Sequence, residues 1–220
     1  YANCVEDIDL VASVILSYDS EDLDMIQNYQ YKNDVNLNKS LKFGFVRGPV
    51  WNFGDEDMKN GIEEFVENAQ LDIEDLDLGK DFEDAAKAHE IIMNGSIANS
   101  LINYYQADKS KLHPFTVKRI EAGIPVSASD YVSAIEKAKK LEQILRQLFL
   151  KYDTIITPAS PGQAPRDLMN TGNAIFNGYW TMMGVPAISL PFLKGRDNLP
   201  IGIQFIANWS EDLKLLEICK

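Results

Sequence analysis

What most constrains this 220-residue chain is the order of its hydrophobic periodicities: helix-period segments alternate with short strand-period ones from end to end. The clearest pair lies in the second half. From Ser129 or Asp130 to Lys151, the apolar residues Val132, Ile135, Ala138, Leu141, Leu145, Leu148 and Phe149 recur on one face, with charge on the other. Asp153-Thr-Ile-Ile-Thr-Pro158 follows at once as a short buried strand. Alternation of this kind, without an internal repeat, predicts an α/β fold with a mixed central sheet flanked by helices.

The remaining segments fit that pattern. Val5, Ile8, Val11, Ala12 and Ile15 share a helical face, and Asn3 and Glu6 have capping-box spacing. Tyr18 to Lys39 is polar and aperiodic, as expected of a connection or irregular surface segment. Leu41 to Val46 alternates as a strand, after which Asp55 is expected to cap a helix built on Met58, Ile62, Phe65, Val66 and Ala69. Ile73 to Leu78 reads as a short acidic strand and Phe82 to Tyr105 as a long helix. Pro114 suits the first position of a short helix ending at Gly123. A further helix is expected over Ala174 to Met183, stopped by Gly184. Ala187 to Leu190 and Ile201 to Ile206 then flank a Lys-Gly-Arg-Asp-Asn loop as an antiparallel hairpin.

Composition narrows the partners. Against 21 basic residues stand 33 acidic ones, a formal charge of -12, which repels phosphate backbones and argues against nucleic-acid binding. No apolar run approaches the roughly 18 residues of a membrane span. Cys4 and Cys219 lie at opposite ends and read as idle thiols of a reducing, cytoplasmic compartment. The chain starts at Tyr1 close to one helix pattern and stops at Lys220 inside another, Leu213, Leu216 and Ile218, so it reads as cut from a larger domain.

Most catalytic signatures are missing. His89-Glu90 lacks a second ligand four residues on, where Met93 stands, and His113 is most simply a helix-start residue. The run Asp72, Glu74, Asp75, Asp77 lacks the glycine and terminal glutamate of a calcium loop. There is no phosphate-cradling loop, dinucleotide fingerprint or nucleophile elbow, and no metal or cofactor is expected. One region stands apart. Pro158-Ala-Ser-Pro-Gly162 begins where a strand ends, and Thr171-Gly172-Asn173 leads toward a helix whose free amides could hold a carbonyl or anion. Phe176, Asn177 and Trp180 on adjacent turns would set an amide side chain between aromatic walls, the composition of a small-molecule pocket; the plainer alternative is that the aromatics fill the core.

These residues carry a family likeness. Asp153 to Pro165, Thr171-Gly172-Asn173, Phe176-Asn177, Trp180-Thr181 and Gly184-Val-Pro-Ala-Ile-Ser-Leu-Pro191 together resemble the C-terminal part of the amidase-signature family. Cys4 to Leu10, Phe43 to Trp51, Ile120 to Pro125 and Leu199 to Gln204 are similar to its other segments in the same order, so the likeness spans almost all of residues 1–220 as one part of a single domain. The resemblance implies an amide hydrolase in which one serine attacks the carbonyl and a second relays protons to a lysine base, with backbone amides of a Gly/Ser-rich loop holding the oxyanion. Those elements would precede the first helix here, so no residue of this chain is assigned a catalytic role. What carries over is a wall of the substrate pocket: Thr157, Pro158, Phe176, Asn177 and Trp180. A small-molecule amide is the expected ligand, and a complementary N-terminal half or self-association is expected to cover exposed apolar surface. Two alternatives stay open: a non-catalytic binding or assembly subunit, and the amidotransferase subunit that releases ammonia from glutamine.

Overall fold

The computed structural model describes residues 1–22, 25, 35, 37 and 40–220. Most of the polar segment Tyr18 to Lys39 thus lies outside the described residues. The chain folds in the order α1 (Val5–Ile15), β1 (Lys42–Phe45), α2 (Glu56–Asn68), β2 (Asp72–Asp75), α3 (Ala85–Asp108), α4 (Pro114–Gly123), α5 (Ala128–Leu148), β3 (Thr154–Pro158), α6 (Gly178–Met183), β4 (Ala187–Lys194), β5 (Pro200–Ile206) and α7 (Asp212–Cys219).

The strands form one mixed sheet in the order β2-β1-β3-β5-β4. β1 runs parallel to β2 and β3, with Phe43 opposite both Ile73 and Thr154. β5 runs antiparallel to β3, placing Ile156 opposite Phe205 and Thr157 opposite Gln204, and β4 completes the hairpin with an irregular register between Leu190 and Leu193. β3 is therefore the seam where the parallel half meets the antiparallel half. All five of its residues are buried, because both of its edges are paired and its faces are packed. Phe45, Ile155, Ile156 and Ile203 from the sheet join Met58 and Ile62 of α2, Leu141 and Leu145 of α5, and Tyr179 and Trp180 of α6 in one core.

Local chemistry sets the boundaries. The Asp55 side chain accepts the Met58 N–H at 2.8 Å and starts α2, whose first turn also carries Glu56 and Asp57 at its positive end. Pro114 opens α4, and His113 Nδ1 accepts the Phe115 N–H at 3.2 Å, as befits a helix-start residue. α5 starts earlier than its apolar period suggests, because Ser127 Oγ accepts the Asp130 N–H at 3.0 Å and donates to the Asp130 carboxylate.

Three expectations need correction. The Asn3–Glu6 capping box does not form: Cys4 occupies the cap position, and no side chain bonds there. The acidic strand stops at Asp75 rather than reaching Leu78. The helix expected from Ala174 begins only at Gly178, because Asn173 Oδ1 accepts the Ile175 N–H at 3.0 Å and holds the preceding residues in a turn. Asparagine side chains compete with helical backbone bonding in this way. Gly184 ends α6 in the left-handed region, φ 67°, as a C-terminal glycine should.

Three surfaces are left uncovered among the described residues. β2 and β4 form the two edges of the sheet, each paired on one side only. α1 rests on α7 but turns Leu10, Val11, Val14 and Ile15 outward, with Val14 76% exposed. No helix among the described residues is long and apolar enough to cross a membrane.

Candidate functional site

Beyond the carboxyl end of β3 the chain opens into a cleft of about 650 Å³. One wall is the loop Ala159 to Pro165; the other is Asn170 to Ala174 with Asn177. In open α/β sheets this is where ligands gather. The first wall is anchored at several points. The Ala159 N–H donates to the Gly202 carbonyl at 3.1 Å, the Asp55 N–H donates to the Pro161 carbonyl at 2.7 Å, and Ser160 Oγ donates to the Gly162 carbonyl at 2.7 Å. Asp55 thus serves two elements at once, capping α2 with its side chain and holding the loop with its backbone.

The second wall is shaped by asparagines. Asn170 Oδ1 accepts the Gly172 N–H at 2.9 Å, a turn that uses the glycine's φ of 88°. With Asn173 bonding Ile175 and Asn177 N–H bonding the Ala174 carbonyl, the amides of Gly172, Ile175 and Asn177 are used within the chain. Thr171-Gly172-Asn173 thus leads first into a sequence of side-chain-closed turns, and the helix starts only at Gly178.

Two carboxamides tie the walls together. Gln204 Nε2 donates to the carbonyls of Pro158, at 2.8 Å, and Phe176, at 3.1 Å. Asn177 Nδ2 donates to the Ala159 carbonyl at 3.1 Å. Of the five residues singled out from sequence, Asn177 alone borders the cleft. Thr157, Pro158, Phe176 and Trp180 are buried and do not line it; Pro158 and Phe176 immediately precede the lining residues Ala159 and Asn177 in the chain. Burial pushes the Tyr179 phenol up.

The electrostatics are simple. The lining holds alanines, prolines, glycines, Ser160, Thr171, Gln163 and three asparagines, with no charged side chain. Charge starts at the rim, where Arg166 and Gln163 hold the Asp197 carboxylate below its usual range. A neutral cleft of backbone carbonyls, hydroxyls and carboxamides suits an uncharged polar group such as an amide better than an anion or a metal ion. Among the described residues no cluster of His, Cys, Asp and Glu could hold a metal. A larger groove of about 840 Å³ between α3, α4 and α5 is lined by residues such as Ser96, Asn99, Ile124 and Tyr131, without a carboxylate, imidazole, thiol or amine. Sequence reasoning passed over Gln204, although a lone carboxamide inside the apolar run Ile201 to Ile206 was the available signal.

Fold and cleft together define an α/β protein with a neutral, amide-lined face at the carboxyl end of its central strand. Residues 1–216 match the family model described as Amidase, and the chain belongs to that family. It is 27% identical over 258 aligned positions to the A subunit of the glutamyl-tRNA(Gln) amidotransferase of Coxiella burnetii (strain Dugway 5J108-111), covering 99% of this chain and 52% of the relative. A shorter match, 35% identical over 111 residues, joins 46% of the chain to 24% of the same subunit from Aliarcobacter butzleri (strain RM4018). Among solved structures, a 6-aminohexanoate cyclic dimer hydrolase complexed with substrate superposes with a TM-score of 0.76 at 18% identity, covering 99% of this chain and 52% of that one. A bacterial aryl acylamidase of the amidase-signature family gives 0.72 at 15% identity, covering 98% and 50%. These structural likenesses establish the mixed-sheet fold. In the matches that cover nearly all of the chain, it spans about half the length of its relatives.

Proposed function

We propose that this chain is the C-terminal portion of an amidase, and that its cleft forms the substrate-side wall of a site hydrolysing a carbon–nitrogen amide bond to an acid and ammonia or an amine. The observation that carries this reading is the uncharged, carboxamide-tied cleft at the end of β3 in a chain of the Amidase family. In it, Asn177 faces the substrate, while Thr157, Pro158, Phe176 and Trp180 hold the wall from behind. The nucleophile, the relaying serine and the lysine base belong to a segment preceding Val5, and the acyl-enzyme forms on that segment. The protein is assigned to the cytoplasm. Alone, the 220-residue chain is inactive.

The test is direct. The reading frame upstream of Tyr1 should encode a lysine followed by a Gly/Ser-rich segment. The product of the whole frame should release ammonia from simple amides such as propionamide or benzamide, and hydroxylamine should divert the acyl group to a hydroxamate. A frame that begins at Tyr1, or a whole-frame product that binds amides without turnover, would leave a binding subunit in place of an enzyme.

A second reading is favoured by one observation: relatives that the chain matches include glutamyl-tRNA(Gln) amidotransferase A subunits. Under it the amide is glutamine, and the released ammonia passes to a partner. Glutaminase activity that depends on an added partner subunit, with no activity on propionamide, would select this reading over the first.

A further inference from the structure

We propose that Gln204 is a positioning residue that sets the width of the cleft. It lies at the middle of β5, 3% exposed, and does not line the cleft. Its single carboxamide nitrogen donates to two carbonyls from different segments: Pro158, the last residue of β3, and Phe176, in the turn before α6. The residues following these two, Ala159 and Asn177, line opposite walls of the cleft. They are joined in turn by the Asn177 carboxamide, which bonds the Ala159 carbonyl. Two successive carbonyls of one wall are thus each held by a carboxamide connected to the other. Gln204 is the buried member of this pair.

The chemistry explains why a glutamine stands there. Pro158 cannot donate, and the carbonyls of Pro158 and Phe176 face one point inside the core. Buried carbonyls need donors, and only an NH2 group supplies two N–H bonds from one neutral atom. An apolar side chain of equal size would fill the space and leave both carbonyls unpaired. A lysine would bring a charge into the core. The proposal deepens the amidase reading in its catalytic consequence, for which it rests on that reading; its structural content does not depend on it.

Hydrogen exchange tests the structural content in the 220-residue chain. The Gln204 side-chain amide protons should exchange at least about tenfold more slowly than those of exposed Gln147. In Gln204→Met, the Gly172, Ile175 and Asn177 amides should exchange about tenfold faster, while the β4–β5 ladder changes much less. In Gln204→Glu the same amides should regain part of their protection as the pH falls and the carboxyl gains one proton to donate to one of the two carbonyls, a recovery that a merely space-filling role would not show. Equal acceleration at all amides, or no pH-dependent recovery, overturns the proposal. If Gln204→Met fails to fold, the wild-type side-chain measurement decides alone: slow exchange supports it and fast exchange overturns it. In the whole-frame product, Gln204→Met should raise KM severalfold with a smaller loss of kcat. An inactive wild-type product would sink the amidase reading while leaving the exchange result standing.

Discussion

Gln163 and Asp197 grip each other twice: Gln163 Nε2 donates to the Asp197 carboxylate at 2.5 Å, and Gln163 Oε1 accepts the Asp197 backbone N–H at 3.1 Å. This pair fastens the outer lip of the cleft to the turn between β4 and β5. Arg166 bonds the same carboxylate through both Nε, at 3.3 Å, and Nη2, at 2.5 Å. The folded protein therefore holds Asp197 below its ordinary pKa of 3.8, through Arg166 first and Gln163 second. A depressed carboxylate contributes stability that is present above the unfolded pKa and lost as pH falls through the folded one. Asp197→Asn should thus narrow the difference in urea midpoint between about pH 7 and about pH 3. An unchanged difference would show that the pair has no thermodynamic weight.

Gly162 backs onto the cap of α2. A Cβ there would lie 2.0 Å from Asp55 Oδ2, so Gly162→Ala must displace the side chain that caps Met58. Loss of such a cap costs about 1 kcal/mol. The expected result is a melting temperature lowered by a few degrees, with the Asp55 bond to Pro161 weakened as well. A variant melting with the wild type would show that the loop moves away instead.

Lys214 forms an ion pair with the deeply buried carboxylate of Asp153. Asp153 is 7% exposed, accepts the Lys42 N–H at 3.1 Å, and lies 3.0 Å from Lys214 Nζ. Desolvation works against the Lys214 charge, but bonds to Glu211 and Asp153 outweigh it and raise its pKa. Lys214→Met keeps the stem and takes the cation away from the buried carboxylate, which should cost about 1–3 kcal/mol in urea unfolding. Lys214→Met with Asp153→Asn should recover part of that loss; no recovery would mean that the stem, and not the charge, matters.

The outward face of α1 predicts association. Leu10, Val11, Val14 and Ile15 form a contiguous apolar stripe next to α7. The isolated chain should sediment with concentration-dependent mass, and Leu10→Glu with Val14→Glu should return it to the monomer. A wild-type chain that stays monomeric and does not bind ANS would remove the stripe as an interface.

Much of this architecture was legible from residues alone. The period of Leu141 and Leu145 marked α5, Asp55 announced α2, Pro114 and Gly123 bounded α4, and the apolar run at Ile155 and Ile156 marked a strand packed on all sides. The cleft region was also marked, by its prolines, glycines and asparagines after Pro158. Less was visible of which side chains face it. Phe176 and Trp180 share a short segment with Asn177, but the turn closed by Asn173 rotates the two aromatics into the core and leaves the amide at the surface.

The sequence by itself determined the order of elements, the Asp55 cap of α2, the bounds of α4, the Gly184 stop and the family likeness, because periodicity, capping and turn chemistry act over a few residues. Only the tertiary structure decided that Gln204 joins Pro158 to Phe176, that Gln163 meets Asp197, and that Gly162 sits against Asp55. Those partners lie far apart along the chain, and they meet because antiparallel pairing sets the end of β3 beside the start of β5 while the loop after β3 rests against the start of α2.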